Sequence, residues 1–471
     1  MTNLVFDENQ IRDTQGLVFS GYAAMPFCTY YLLQIEDAEK AKPWLKQLAS
    51  ERITSGEPNR ALRANQSYAL NLALSYKGLE KLTLNPSAFE QAFQEGMDSA
   101  RRTTVLGDQA ENHPSTWQWG NSLKPVDILL MLYSIDEASH QQHQQNEEAA
   151  FLAAGLSLVV PKLDTSNTGT TGRFAKEHFG FADGVSNPTV EGFPKDSSAL
   201  ANANPQTPQT IATGEFILGY PNGYDGKITD VPNAGSLAEK FGINGSYLVF
   251  RQLQQDVKGF WRFIHEAAAS QEIDPEYLAA KFVGRWKSGA VVLPDSQQDP
   301  GNASNDFDFS DDLDGKGCPF GSHIRRANPR GQGLGVELDV QENIKTSLKV
   351  ANRHRILRRG RSYGNFLENP LAADDKGERG LFFICLNANI ERQFEFVQHS
   401  WINNSKFNGL YDEDDPLIGT YSVDDPAYQR NFTLQEQPLR QHICNFQRFV
   451  TLRGGGYFFL PGITALAMLG G

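Results

Sequence analysis

"MPFCTYYLLQIEDAEKAKPWLKQLASERI", residues 25–53, reads in two halves. Its first part, "MPFCTYYLLQI", is rich in aromatics and closes on β formers, which predicts a strand. Asp37 then opens a run of helix formers, as an N-cap would. The alternation continues downstream. "QSYALNLALS" (66–75) is a second strand, "YKGLEKL" (76–82) a short helix, and "PVDILLMLYSI" (125–135) a third strand. "DEASHQQHQQNEEAAFLAAG" (136–155) is a helix that stops at Gly155, and "LSLVVPKL" (156–163) is a fourth strand. The order is β-α-β-β-α-β, a ferredoxin-like split unit.

The alternation begins again after residue 213. "SYLVFRQLQQD" (246–256) is a strand, "VKGFWRFIHEAAA" (257–269) a helix, "GLFFICLNANI" (380–390) a strand, "ERQFEFVQHSWINN" (391–404) a helix and "RFVTLRGGGYFFLP" (448–461) a strand. Between the two series, "PKDSSALANANPQTPQTIAT" (194–213) has few large apolar residues and reads as a linker or long surface loop. The expectation is an α+β chain of two ferredoxin-like domains with antiparallel sheets, residues 1–205 and 206–471, the second with large insertions. It rests on element order, since no residue-level repeat is visible.

At 471 residues the chain is too long for one hydrophobic core, which agrees with two domains. A hydrophobic share of 40% and a charged share of 21% are ordinary for a globular protein. The net charge of −13 argues against broad nucleic-acid binding. The longest apolar runs, "ILLMLY" and "LFFICL", are strand-sized, so no membrane association is expected. The opening "MTNLVFDENQIRD" lacks a basic segment, an apolar segment and a twin arginine, so the cytoplasm is the expected location. Cysteines stand alone at 28, 318, 385 and 444, without CxxC or CxxCH. That excludes a disulfide framework, a paired-cysteine zinc site and a covalent c-type haem.

Several stretches could carry chemistry. In "FGFADGVSNP" (179–188), Gly180 and Gly184 bracket Asp183 among aromatic residues. Either the aspartate bonds its own turn, or the glycines let backbone approach a flat ligand while the carboxylate reaches over it. In "GCPFGSHIRRANPR" (317–330), Pro319 and Pro329 confine His323 to a short turn followed by Arg325, Arg326 and Arg330. Either it is a histidine in a basic surface loop, or those cations keep the imidazole neutral and fit to ligate a metal. "NRHRILRRGRSYG" (352–364) holds an arginine cluster. Read as a strand over 352–360, it puts Arg353, Arg355, Arg359 and Arg361 on a solvated or anion-facing side. Arg358 then turns inward, where it needs an anion or a polar ligand. His140 and His143 form HxxH on what reads as an exposed helix, and His113, His265, His399 and His442 have no suggestive company. The acidic insertion "SQQDPGNASNDFDFSDDLDGKGC" (296–318) fails the EF-hand pattern, with Lys316 and His323 at ligand positions, and reads as a solvated loop.

Taken together, "GFADG", "CPFGSHIRRANPR", "ILRRGRSYG", "GLFFICLNANIERQFEFVQHSW", "DDPLIG" and "FVTLRGGGYFFLPG" resemble the motifs of the dye-decolorizing peroxidase family, in family order from 180 to 461. The length is similar to its larger, fungal-like and cyanobacterial branch. The resemblance implies a non-covalent haem b in the C-terminal domain, with His323 as proximal iron ligand, Asp183 as distal acid–base group and Arg358 as distal arginine. It implies that Asp415 hydrogen-bonds the proximal histidine, that Leu381 and Phe383 wall the distal pocket, and that Gly184 and Arg330 help hold the cofactor, Arg330 at a propionate. Smaller bacterial members carry an asparagine where this chain has Gly360, so that side chain's distal role is absent. Tyr363 and Trp401 are either packing aromatics or electron-transfer sites. The partners implied are hydrogen peroxide and small reductants such as anthraquinone dyes and phenols. The rival readings are a haem-handling or deferrochelatase-like protein of the same fold superfamily and a non-catalytic haem carrier or sensor.

Overall fold

A computed structural model describes residues 6–82, 88–166, 176–194, 210–232, 241–332, 339–372, 377–420, 430–436 and 438–470. β1 (Phe27–Ile35) is buried along nearly its whole length, because both faces of the sheet are covered. That is why its apolar residues run together instead of alternating. Asp37 caps α1 (Ala38–Gln47), its carboxylate accepting the Lys40 N–H at 3.2 Å. β2 (Tyr68–Leu74), β3 (Ile128–Ser134), α2 (Glu137–Ala153) and β4 (Leu156–Leu158) complete the first unit. β3 pairs antiparallel with β1 and β2, and β1 with β4, giving the order β2-β3-β1-β4.

The second unit repeats this plan. It runs β5 (Ser246–Gln255), α3 (Val257–Gln271), α4 (Pro275–Val283), α5 (His323–Ala327) and α6 (Val340–Asn352), followed by the short β6 (Leu357–Arg358) and β7 (Arg361–Tyr363). β8 (Gly380–Asn387), a helical stretch over Glu391–Glu395 and Val397–Ile402, and β9 (Val450–Leu460) end it. Its sheet order is β7-β8-β5-β9. In both units the order is second, third, first, fourth strand, so the chain is α+β and ferredoxin-like twice over. The units meet where β9 pairs antiparallel with β2 at Phe459 and Leu74, which makes one continuous sheet. Strand neighbours pack on opposite sides: Tyr31, Leu33, Leu72 and Val249 on one, Tyr30, Leu32, Met131 and Phe250 on the other. Each face thus carries a core spanning both units.

Three expectations need correction here. α2 is not simply an exposed helix, because its inward face is polar, with His140, Gln144 and Glu147 buried. The His140 ring sits between Thr29 Oγ1 at 2.9 Å and Ser134 Oγ at 3.0 Å, while His143 stacks on Tyr68. The 296–318 insertion is not wholly solvated. Asp312 is buried and accepts the N–H groups of Gly317 and Cys318 and a guanidinium nitrogen of Arg325, all within 2.9 Å. Residues 352–360 do not form one strand, since α6 runs to Asn352 and only Leu357 and Arg358 pair, with Leu386 and Cys385. The expected boundary between residues 205 and 206, and most of the 194–213 linker, lie outside the described residues. No helix among the described residues is long and apolar enough to cross a membrane.

Candidate active site

His323 is the first residue of α5, a single turn that Asn328 ends in an extended conformation ahead of Pro329. Its Nδ1 lies 2.9 Å from Asp415 Oδ2. Asp415 is fully buried, and its other oxygen accepts the N–H groups of Leu417 and Ile418, both at 2.9 Å. Burial would raise this carboxyl, but the imidazole and these hydrogen bonds outweigh it and hold Asp415 below the usual carboxylate value. With Nδ1 committed, Nε2 has no partner among the described residues and belongs to a side chain that lines the main cavity.

The arginines after His323 do not surround it with charge. Arg325 is held by Asp312 and by the Cys318 carbonyl, and Arg326 by the carbonyls of Trp401, Asn404 and Glu413. Arg330 is buried at a left-handed φ of 54°, bound to the carbonyls of Asn305 and Phe307 and stacked over the Phe307 ring. It is not on the cavity wall, so its expected place at a haem propionate finds no support in its position. Each of these guanidiniums closes a loop by saturating backbone carbonyls.

Asp183 and Arg358 meet in the same cavity, with Arg358 Nη1 2.5 Å from Asp183 Oδ1. Burial pushes Asp183 up, but the Arg358 charge and hydrogen bond and the Gly184 N–H together bring it below the ordinary aspartate value; the His323 imidazole adds to this. Gly180 and Gly184 have φ of 98° and 82°, and a Cβ on Gly184 would meet nothing. Both conformations lie in the left-handed region that favours glycine. Gly184 touches Asp183 rather than the cavity, its N–H lying 2.6 Å from Asp183 Oδ1.

The rest of the "GVSNP" stretch is a clamp. Asn187 accepts the Arg358 N–H at 3.1 Å and donates to the Arg358 carbonyl at 3.3 Å. Ser186 takes Arg355 on its carbonyl and Arg285 on its hydroxyl. Arg355 and Arg359 are buried, not solvated: Arg359 reaches the carbonyls of Leu17 and Val18, and Arg361 those of Gly21, Tyr22 and Met25. Period-two reasoning failed there because the partners are carbonyls from another part of the chain. Gly360 lines the cavity, and a Cβ on it would stand 2.5 Å from the Phe382 carbonyl oxygen, so no side chain fits.

Apolar groups make up most of the wall, Leu381 and Phe383 among them, with Phe181, Leu253, Phe394 and Val450. Sequence reasoning missed Glu177, Arg251, Arg285 and Asn328, which also line it. Arg251 pairs with buried Asp108, so the first unit contributes to the cavity as well. Tyr363 and Trp401 do not line it. Tyr363 stacks on Phe382, ring centres 4.5 Å apart, and both rings belong to the core on the sheet face opposite Phe383; Trp401 packs edge-on against the stacked His354 and Phe396 rings. An apolar chamber fits a haem when, among the described residues, it holds an imidazole whose Nε2 has no partner and an Asn328 side-chain amide whose nitrogen and oxygen have none.

Comparison with known proteins agrees. The family profile "Dyp-type peroxidase, C-terminal" matches residues 236–414. A dye-decolorizing peroxidase of Mycetinis scorodonius is 32% identical over 466 residues, covering 93% of this chain and 83% of the relative. One from Mycena epipterygia is 30% identical over 478 residues with the same coverage of both chains. The crystal structure of a DyP-type peroxidase from Anabaena sp. superposes with a TM-score of 0.80 at 27% identity, covering 98% of this chain and 95% of that one. With this similarity along almost its whole length, the chain belongs to the dye-decolorizing peroxidase family.

Proposed function

We propose that the protein reduces hydrogen peroxide at a non-covalently held haem b and oxidises bulky dyes, anthraquinones among them, and phenols by one electron at a time. The observation that carries this reading is the Asp183–Arg358 pair in the same cavity as His323, whose Nδ1 is held by Asp415. The haem, when bound, supplies the iron that takes up peroxide and accepts the two electrons that reducing substrates return. His323 would hold it through Nε2, and Asp415, keeping the Nδ1 proton, makes that nitrogen a better donor. Asp183, held ionised, takes a proton from one peroxide oxygen and returns it to the other, which leaves as water. Arg358 stabilises the negative charge that grows on the departing oxygen. Overall, one peroxide and two reduced substrates, with two protons, give two waters and two oxidised radicals.

Non-covalent attachment is supported by the absence of any cysteine from the cavity wall among the described residues. Four unpaired cysteines, Cys28, Cys318, Cys385 and Cys444, favour a reducing compartment such as the cytoplasm. A carrier or haem-handling role has less support, because neither needs an acid–base pair at the site. Steady-state oxidation of an anthraquinone dye by haem-loaded protein and peroxide tests the reading. Turnover well above that of free haem is expected, and turnover no better than free haem would overturn it.

A further inference from the structure

Glu177 takes no part in the chemistry above, yet it lines the same cavity as Asp183. Its Oε1 accepts the Phe181 N–H at 2.9 Å. Its Oε2 accepts the Phe179 N–H at 2.9 Å and Gln255 Nε2 at 2.7 Å. Phe179 and Phe181 belong to the turn that delivers Asp183, which is closed by the Glu177 N–H on the Phe181 carbonyl and the Gly180 N–H on the Glu177 carbonyl. Gln255 is the last residue of β5, the first strand of the second unit. One carboxylate therefore ties the Asp183 turn to the sheet through three donors.

We propose that Glu177 is a positioning residue for the peroxide reaction, fastening the Phe179–Asp183 turn to β5 and setting the proton affinity of Asp183 through its charge. This rests on the peroxidase reading for its rate consequence but not for the tether itself. Burial pushes Glu177 up to about 7, and the Asp183 charge adds to the rise, against the three hydrogen bonds. Below that pH the carboxyl is neutral, and the oxygen that carries the proton becomes a donor and loosens its hold on the turn. Above it a second negative charge bears on Asp183 and tightens that residue's proton. The coupling is reciprocal, so the charge of Asp183 raises Glu177 by the same free energy.

The other titratable groups around the turn are otherwise engaged. His178 is pushed down by burial and turns Nε2 to the Tyr363 carbonyl. Lys287 pairs with Glu276 and lies over the Trp261 ring, and Arg379 reaches the Asn365 carbonyl.

The test has two arms. In full-length protein labelled with 15N-phenylalanine, the Phe179 and Phe181 amide shifts should follow one titration near neutral pH, and Glu177→Gln should abolish it. In haem-loaded protein, Glu177→Gln should keep the wild-type absorbance band. Above neutral pH it should slow the reaction with peroxide by about tenfold or more, and it should remove the break near neutral pH. Glu177→Asp, which keeps the charge, should restore that break. Amide shifts that ignore pH, or a Glu177→Gln protein with the wild-type rate and pH profile, would overturn the proposal. Wild-type protein inert to peroxide with the amide titration intact would instead overturn the peroxidase reading and support the tether.

Discussion

Asn187 shows how much of the site depends on backbone rather than on reactive groups. Both of its amide atoms bind the main chain of Arg358, so the stretch carrying Asp183 is locked to the strand carrying its partner. Asn187→Ala should cost about 1–2 kcal/mol in thermal denaturation and slow the peroxide reaction, whereas an unchanged melt would contradict the clamp. Asp183 and Asp415 are both held below the ordinary carboxylate value, so each adds stability that is present above about pH 4 and lost as pH falls through its depressed value. Asp183→Asn and Asp415→Asn should therefore each flatten the acid limb of stability against pH; a limb as steep as wild type would refute the sign. Tyr363 stacks on Phe382, the strand neighbour of the cavity-wall residues Leu381 and Phe383. If electrons from bulky dyes pass through it, Tyr363→Phe lowers dye oxidation and leaves phenol oxidation near normal, and equal losses on both would rule the route out. Glycines and prolines that punctuate their turns singled out Asp183 and His323 in the sequence but left a plain turn or loop residue as the alternative, and only the family resemblance gave them roles. The carbonyls that hold Arg330, at Asn305 and Phe307, are distant in sequence and carry no residue signature.

At the scale of elements, strand–helix alternation gave the ferredoxin-like order in the first unit and three of the four strands of the second, missing Arg361–Tyr363. The misreading at 352–360 has a physical cause. α6 is capped by Asp339 and buries Ile344, Ser347, Leu348 and Ala351 at helical spacing, and it ends at Asn352. The paired segment that follows is two residues long, too short for a period to show. Gly360 lies just beyond it, packed on the β8 backbone at Phe382. Gly360→Ala should cost about 1–3 kcal/mol by forcing β6 away from β8, and should displace Arg358 enough to slow the peroxide reaction. An alanine variant with wild-type stability would show that the contact yields freely. The 391–402 helix departs from regular α geometry, with Glu395 N–H bonded to the Ile390 carbonyl and Asn403 N–H to that of Gln398. It supplies Phe394, Val397 and Ile402 to the cavity, and no propensity signal in the sequence marks its wider turns.

Across the whole molecule, the two units share one sheet and both cores, and the first unit reaches the cavity through Asp108. Arg102, buried between Glu95 of the first unit and Glu391 and Glu395 of the second, ties them again. Two domains were expected from chain length, and the shared cores predict a single unfolding transition by calorimetry. Two resolved transitions would show that the units fold independently. What length and alternation could not show is that β9 of one unit would pair with β2 of the other, since that contact is a single residue pair. The assembled molecule brings Asp183, Arg358 and His323 from distant segments into one chamber, with Asp415 behind His323. The most direct measurement of what that chamber does is the rate at which haem-loaded protein reacts with peroxide in rapid mixing, wild type against Asp183→Asn. The expected result is a fall of about a hundredfold or more with the His323-ligated absorbance band unchanged; a wild-type rate in Asp183→Asn would contradict the acid–base role on which the mechanism stands.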